Sequence, residues 1–77
     1  MFHTLDIDGA KLKQARTKAQ LTPTQVAQRI GVTRAHLSLL ENGKRQPSNR
    51  LADELASLYG VRMLDLLVAP EKILLAA

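Results

Sequence analysis

The chain has 77 residues, no cysteine, and eleven Lys/Arg against seven Asp/Glu, a formal net charge of +4 with a pI near 10.0. That length fits one small domain, and the lack of cysteine excludes a disulfide framework or a thiolate metal site and suits a reducing, cytoplasmic setting. Apolar residues make up 45% of the chain and aromatics only 3%, so it has the means to fold and its core has to be aliphatic. Its longest apolar runs, 66–69 and 73–77, fall far short of the ~20 residues of a membrane span.

In chain order, residues 1–8 read as an N-terminal arm. Asp8 is placed to cap a first helix over 9–19, with Leu12, Ala15 and Ala19 three and four apart on one face. Thr22-Pro23-Thr24-Gln25 is a helix start: Thr22 supplies the cap oxygen, Pro23 takes the first helical position, and Gln25 completes a capping box. Val26, Ala27 and Ile30 make the buried stripe of this second helix, and Gly31 stops it where a positive φ is needed. Thr33 caps a third helix from Arg34 to Glu41, with Leu37 and Leu40 facing inward. Asn42-Gly43 breaks it, and Lys44-Arg45-Gln46-Pro47 is a polar, basic loop. Ser48 caps a fourth helix, Asn49 to Tyr59, whose apolar face is Leu51, Leu55 and Leu58. A fifth short helix is expected over 63–68, and 69–77 is a tail with an apolar end.

No stretch in the first 70 residues alternates as a strand does. The expected fold is therefore all-α, a compact five-helix bundle over residues 9–68. Its centre is a helix, the three-residue turn Gly31-Val32-Thr33, and a second helix. Such a turn forces two helices to cross steeply, as in the helix-turn-helix, whose second helix enters the DNA major groove.

The charge is segregated. Nine of the eleven basic residues lie between Gly9 and Arg50, where Glu41 is the sole acid, and both flanks are net acidic. A basic part set apart from an acidic one suggests one face for a polyanion, against the plainer reading of a solvated basic surface. The basic part lacks the wide apolar face with aromatic anchors that a membrane surface requires, so no membrane partner is expected.

The stretch 21–48, LTPTQVAQRIGVTRAHLSLLENGKRQPS, resembles the Cro/C1-type, lambda-repressor-like helix-turn-helix family. The matching pieces are Leu21-Thr22, Val26-Ala27, the Ile30-Gly31-Val32-Thr33 turn, Leu40 through Arg45, and Pro47-Ser48. Tyr59-Gly60-Val61 and Leu66-Leu67 also look like that family, so the resemblance spans about residues 7–68. It implies a DNA-binding five-helix bundle, usually a homodimer on a near-palindromic operator. It also implies that Arg16 reaches across from the first helix to Glu41 as a structural ion pair. One departure stands out: Pro23 occupies a position where the family usually has a phosphate-gripping Gln.

On this reading Arg34, Ala35, His36, Ser38 and Leu39 are the candidate base contacts. Arg34 suits guanine O6 and N7, or a phosphate. Ala35 and Leu39 suit thymine methyl groups, or packing. Thr22, Thr24, Gln25, Thr33, Asn42, Lys44 and Arg45 are the candidate phosphate contacts, being short polar groups, cations and neighbours of helix N-termini. One short helix cannot bury every apolar residue between Leu58 and Leu67. Tyr59, Val61, Met63, Leu64 and Leu67 are therefore the candidate dimer surface, with Ile73, Leu74 and Leu75 of the tail as additions.

His3 and His36 lack metal-ligand spacing, and no nucleophile–base set is readable, so no cofactor, no metal and no enzyme activity are expected. The expected function is a homodimeric, sequence-specific regulator of double-stranded DNA, as a phage or plasmid repressor or a restriction–modification controller in the cytoplasm at the nucleoid. RNA polymerase is a further partner open to such a chain. The rival is an antitoxin or adaptor that binds a toxin or other protein through the same fold.

Overall fold

Each helix of the protein begins at a side-chain oxygen that takes up one of its free backbone N–H groups. In the computed structural model, which describes residues 6–68, Asp8 accepts from Ala10, Thr22 from Gln25, Thr33 from His36 and Ser48 from Leu51. Each such cap stabilises its helix by about 1 kcal/mol. The helices are α1 Gly9–Lys18, α2 Pro23–Ile30, α3 Arg34–Glu41 and α4 Asn49–Tyr59. Thr22 and Gln25 form the full reciprocal box, with the Thr22 N–H donating back to Gln25 Oε1 at 2.9 Å. Between α2 and α3, Gly31 adopts φ 74° and ψ 34°, and Val32 then points back onto the core. α1 ends without a glycine: Gln20 takes the left-handed position at φ 60°, while the N–H groups of Gln20 and Leu21 bond the carbonyls of Thr17 and Arg16.

The fifth helix of the sequence reading is corrected. After Gly60 the chain makes only a four-residue 3₁₀ turn, Met63–Leu66. Leu67 is extended, at φ −77° and ψ 155°, because it pairs antiparallel with Ile7 in an isolated bridge. The Asp8 N–H donates to the Leu66 carbonyl at 2.7 Å and the Val68 N–H to the Asp6 carbonyl at 2.9 Å. This local pairing competes with helix continuation at Leu67 and wins.

Side chains complete the bridge. Ile7 turns its own N–H and carbonyl the other way, and the Gln46 amide meets both, at 2.9 and 3.1 Å. The Leu67 carbonyl accepts from Lys11 Nζ at 2.8 Å. Every backbone polar group of the pair thus has a partner, as a part-buried segment requires.

The core takes side chains from every element, four of them from α4: Ala52, Leu55, Ala56 and Tyr59. Leu12 of α1, Val26 of α2, Leu37 and Leu40 of α3, Leu55 of α4 and Leu66 of the 3₁₀ turn are all but fully buried. Each contributes about 1.5–3 kcal/mol of hydrophobic stabilisation. Ile7 joins them from the segment before α1. Gly9 explains how closely α1 approaches α3: a Cβ built there would lie 2.6 Å from the carbonyl oxygens of both Leu40 and Glu41. The first turn of α1 therefore rests directly on the last turn of α3.

Candidate nucleic-acid interface

Burying Leu37 and Leu40 decides which way the rest of α3 faces. With 100° between successive residues, Arg34, Ala35, Ser38 and Leu39 are left on the outside, and all four are exposed, while His36 is half-buried. They form two ridges at four-residue spacing. One is polar and runs Arg34, Ser38, Asn42; the other is apolar, Ala35 and Leu39. Leu39 is 40% exposed and, with Leu64, one of two large hydrophobics that are exposed among the described residues.

The polar ridge lines an open groove whose other wall is Pro23 and the Lys13–Arg16 face of α1. Lys13 lines this groove although it lies outside the helix-turn-helix motif. Its signal was available: it lies three residues before Arg16 and so shares the α1 face that turns toward α3.

The hydrogen bonding around the groove leaves donors outermost. Thr22 Oγ1 and Thr33 Oγ1 each accept a backbone N–H from inside the helix, so their hydroxyl hydrogens remain for an outside acceptor. Gln25 uses Oε1 in the capping box, leaving its amide N–H groups. At the start of α2 only one backbone donor is free of internal bonds. Pro23 has none, the Gln25 N–H is held by Thr22, and Val26 bonds the Thr22 carbonyl, so the free one is the Thr24 N–H. Pro23 thus leaves the Thr24 N–H, the Thr22 hydroxyl and the Gln25 amide as the donors at this end of α2. At α3 the N–H groups of Arg34 and Ala35 are both free of intrahelical partners.

Arg16 and Glu41 meet as a two-point pair. Arg16 Nε donates to Glu41 Oε2 at 2.7 Å, a terminal nitrogen to Oε1 at 3.3 Å, and the other to the Leu21 carbonyl at 3.0 Å. Their side chains are only 12% and 8% exposed. Glu41 is neutralised within the protein, and Arg16 ties α1, the loop before α2 and the end of α3 together. Lys13, Arg34, Lys44 and Arg45 form no ion pair among the described residues, so the face carries uncompensated positive charge. Asn42 behaves differently from Lys44 and Arg45: its amide nitrogen is turned back onto Ser38, donating to the carbonyl at 2.9 Å and to Oγ at 3.1 Å.

The residues assigned to a partner surface separate by burial. Leu64 is 63% exposed. Val61, Met63 and Leu67 are partly buried against the subunit's own core. Tyr59 is corrected: it is 7% exposed and packs inside the subunit, because the α4 face that carries Leu55 also carries Tyr59 four residues on. Its hydroxyl is buried without a hydrogen-bond partner among the described residues. Burial and the nearby Glu41 carboxylate push its pKa up to about 12. The tail residues 69–77 and the first five residues lie outside the described part. Among the described residues no group of three His, Cys, Asp or Glu is placed to hold a metal, and no helix is long and apolar enough to cross a membrane.

Residues 9–69 match the family model described as "Helix-turn-helix domain". The chain belongs to the helix-turn-helix domain family. Helix-turn-helix domains of this kind bind DNA and place their second helix in the major groove. Similar sequences include an uncharacterized HTH-type transcriptional regulator of Archaeoglobus fulgidus, 33% identical over 80% of this chain and 87% of that one. Another, of the same description, comes from Methanocaldococcus jannaschii and is 36% identical over 75% of this chain and 88% of that one. The ImmF control region 10 kDa protein of Bacillus phage phi105 is 36% identical over 69% of this chain and 59% of that protein. The crystal structure of the hypothetical transcription factor NHTF from Neisseria superposes with a TM-score of 0.71, at 19% identity, over 90% of this chain and 79% of that one. That likeness supports the helix-turn-helix fold by itself.

Proposed function

We propose that this helix-turn-helix protein is a homodimeric, sequence-specific regulator of transcription that binds double-stranded DNA in the cytoplasm, at the nucleoid. The observation that carries the reading is the outer face of α3. It shows a cation, a hydroxyl and two apolar groups to solvent, and it is bordered by hydrogen-bond donors and unpaired positive charge. A phosphate backbone needs donors and cations at the border, and base edges need a mixed polar and apolar surface at the centre.

Arg34 is assigned to a guanine edge, Ala35 and Leu39 to thymine methyls, and Ser38 and the half-buried His36 to neighbouring bases. Thr22, Thr24, Gln25, Thr33, Lys44, Arg45 and Lys13 hold phosphates, and Asn42 acts from the end of α3. Leu64, with Val61, Met63 and Leu67 around it, is the surface for a second copy. Two α3 helices then enter successive major grooves about 34–36 Å apart on a near-palindromic operator. The relatedness to a phage control-region protein supports a repressor-type role. The chain acts by binding and not as an enzyme.

Selection from a randomised duplex pool tests this. The expected result is an inverted repeat with half-site centres about one helical turn apart. Arg34→Ala is expected to relax preference at one base per half-site, by about 1–3 kcal/mol of discrimination. Lys44→Ala is expected to weaken all sequences alike and to lower the salt slope by about one. Binding with no preferred sequence would overturn the regulator reading and turn attention to a toxin or other protein as partner.

A further inference from the structure

A serine or threonine inside a helix has a ready outlet for its hydroxyl hydrogen, the carbonyl four residues back. Thr17 uses that outlet, donating to the Lys13 carbonyl at 2.9 Å. Ser38 does not. Its Oγ instead receives Asn42 Nδ2 at 3.1 Å, and the same nitrogen donates to the Ser38 carbonyl at 2.9 Å. The second contact settles which end of the Asn42 amide faces Ser38, because a carbonyl oxygen accepts and never donates. The Ser38 hydroxyl is thus held as an acceptor from within. Its hydrogen meets no acceptor among the described residues. Ser38 is exposed, one turn beyond Arg34 on the polar ridge that lines the groove.

We propose that Asn42 is a positioning residue that biases Ser38 toward hydrogen-bond donation, so that Ser38 favours a base with a major-groove acceptor over cytosine. The proposal rests on the DNA-binding reading above and deepens it by naming what one position of the site reads. In the major groove guanine offers N7 and O6, adenine N7 and thymine O4, whereas cytosine offers only its N4 amino donor. An unheld serine hydroxyl turns to suit either kind of group. The Asn42 amide occupies one of the two lone pairs before DNA arrives, which tilts the hydroxyl toward donation.

The test is base-preference profiling of the intact chain, by selection from a randomised duplex pool. It compares wild type with Ser38→Ala, Asn42→Ala and Asn42→Asp, with helical content checked by circular dichroism. Wild type is expected to disfavour cytosine about 3- to 10-fold at one position per half-site, the effect of one net hydrogen bond. Ser38→Ala flattens that position and leaves the rest of the motif. Asn42→Ala frees the hydroxyl and flattens the same position.

Asn42→Asp replaces the inner donor with an acceptor, which draws the Ser38 hydrogen inward and turns its lone pairs out. Preference there moves toward cytosine or adenine, whose amino groups donate. A motif unchanged in Ser38→Ala or Asn42→Asp overturns the inference and leaves the DNA-binding reading standing. So does a uniform loss of affinity with the same motif, as a phosphate contact gives. A wild-type selection without any motif overturns both. Should the Asn42 variants fail to fold, Ser38→Ala still decides, since alanine is the better helix former.

Discussion

Tyr59 carries a buried hydroxyl with no partner among the described residues, a group that costs about 1–3 kcal/mol to leave unpaired. Tyr59→Phe is therefore expected to leave stability at pH 7 unchanged or to raise it by about 1 kcal/mol. The pH dependence has a definite sign. The folded-state pKa of about 12 lies above the ordinary 10.0. The neutral phenol is thus favoured in the fold, and stability is full below pH 10 and is lost as pH rises from there toward 12. The loss amounts to about 2–3 kcal/mol. Urea unfolding of wild type and Tyr59→Phe at pH 7 and pH 11 checks it: the variant should lose less stability on going alkaline. Equal losses in the two proteins would contradict the assignment. At the same scale, Glu41→Ala leaves Arg16 buried without its counter-charge. It is expected to cost about 3–5 kcal/mol, measured by chemical denaturation. A loss under 1 kcal/mol would show the pair to act as a surface one.

Helix ends were the part of the fold most legible in the sequence. Thr22, Thr33 and Ser48 are local signals, and a cap depends on only a few neighbouring residues, so each helix start can be read without knowing the tertiary fold. The 3₁₀ turn was not legible. Whether Leu67 continues a helix depends on Ile7, 60 residues earlier in the chain, and on Gln46 and Lys11 completing the bridge. Nothing in the local pattern around Met63 carries that information. Gly9 likewise reads from sequence as a bland first helical residue, yet it is the contact point between α1 and the end of α3. Gly9→Ala places a methyl against backbone oxygens that have no side chain to swing aside. It is expected to destabilise the domain by about 1–3 kcal/mol, as overpacking does, and to shift the Leu40–Glu41 end of α3. Thermal unfolding measures the first effect and the backbone amide shifts of α3 the second. An unchanged melting temperature would contradict the close approach.

Across the whole molecule, the two exposed large hydrophobics among the described residues differ in setting: Leu39 lies on the α3 face and Leu64 in the 3₁₀ turn. Among the described residues Lys13, Arg34, Lys44 and Arg45 stand unpaired around α3, whereas Leu64 is exposed within the 3₁₀ turn, where the acid Asp65 is paired with Arg62. The outward face of α3 was legible in the motif, because the turn Gly31-Val32-Thr33 and the buried Leu37 and Leu40 fix which side of the helix is outside. The polarity of Ser38 and the withdrawal of Tyr59 into the core did not follow, since both depend on which atoms meet in three dimensions. Leu64→Glu is expected to abolish self-association in sedimentation equilibrium while leaving the helical signal intact, because it alters an exposed position. A variant that still dimerises would move the second copy to another surface.

Backbone amide shift mapping, as an operator duplex from the selection is titrated into labelled protein, tests whether α3 is the helix that meets DNA. The large changes are expected at Thr24, at Thr33 through Leu39 and at Gly43 through Arg45, with the exposed Asp53 and Ser57 of α4 unmoved. Changes centred on α4, with the outer face of α3 silent, would contradict the assignment of α3 as the helix that meets DNA.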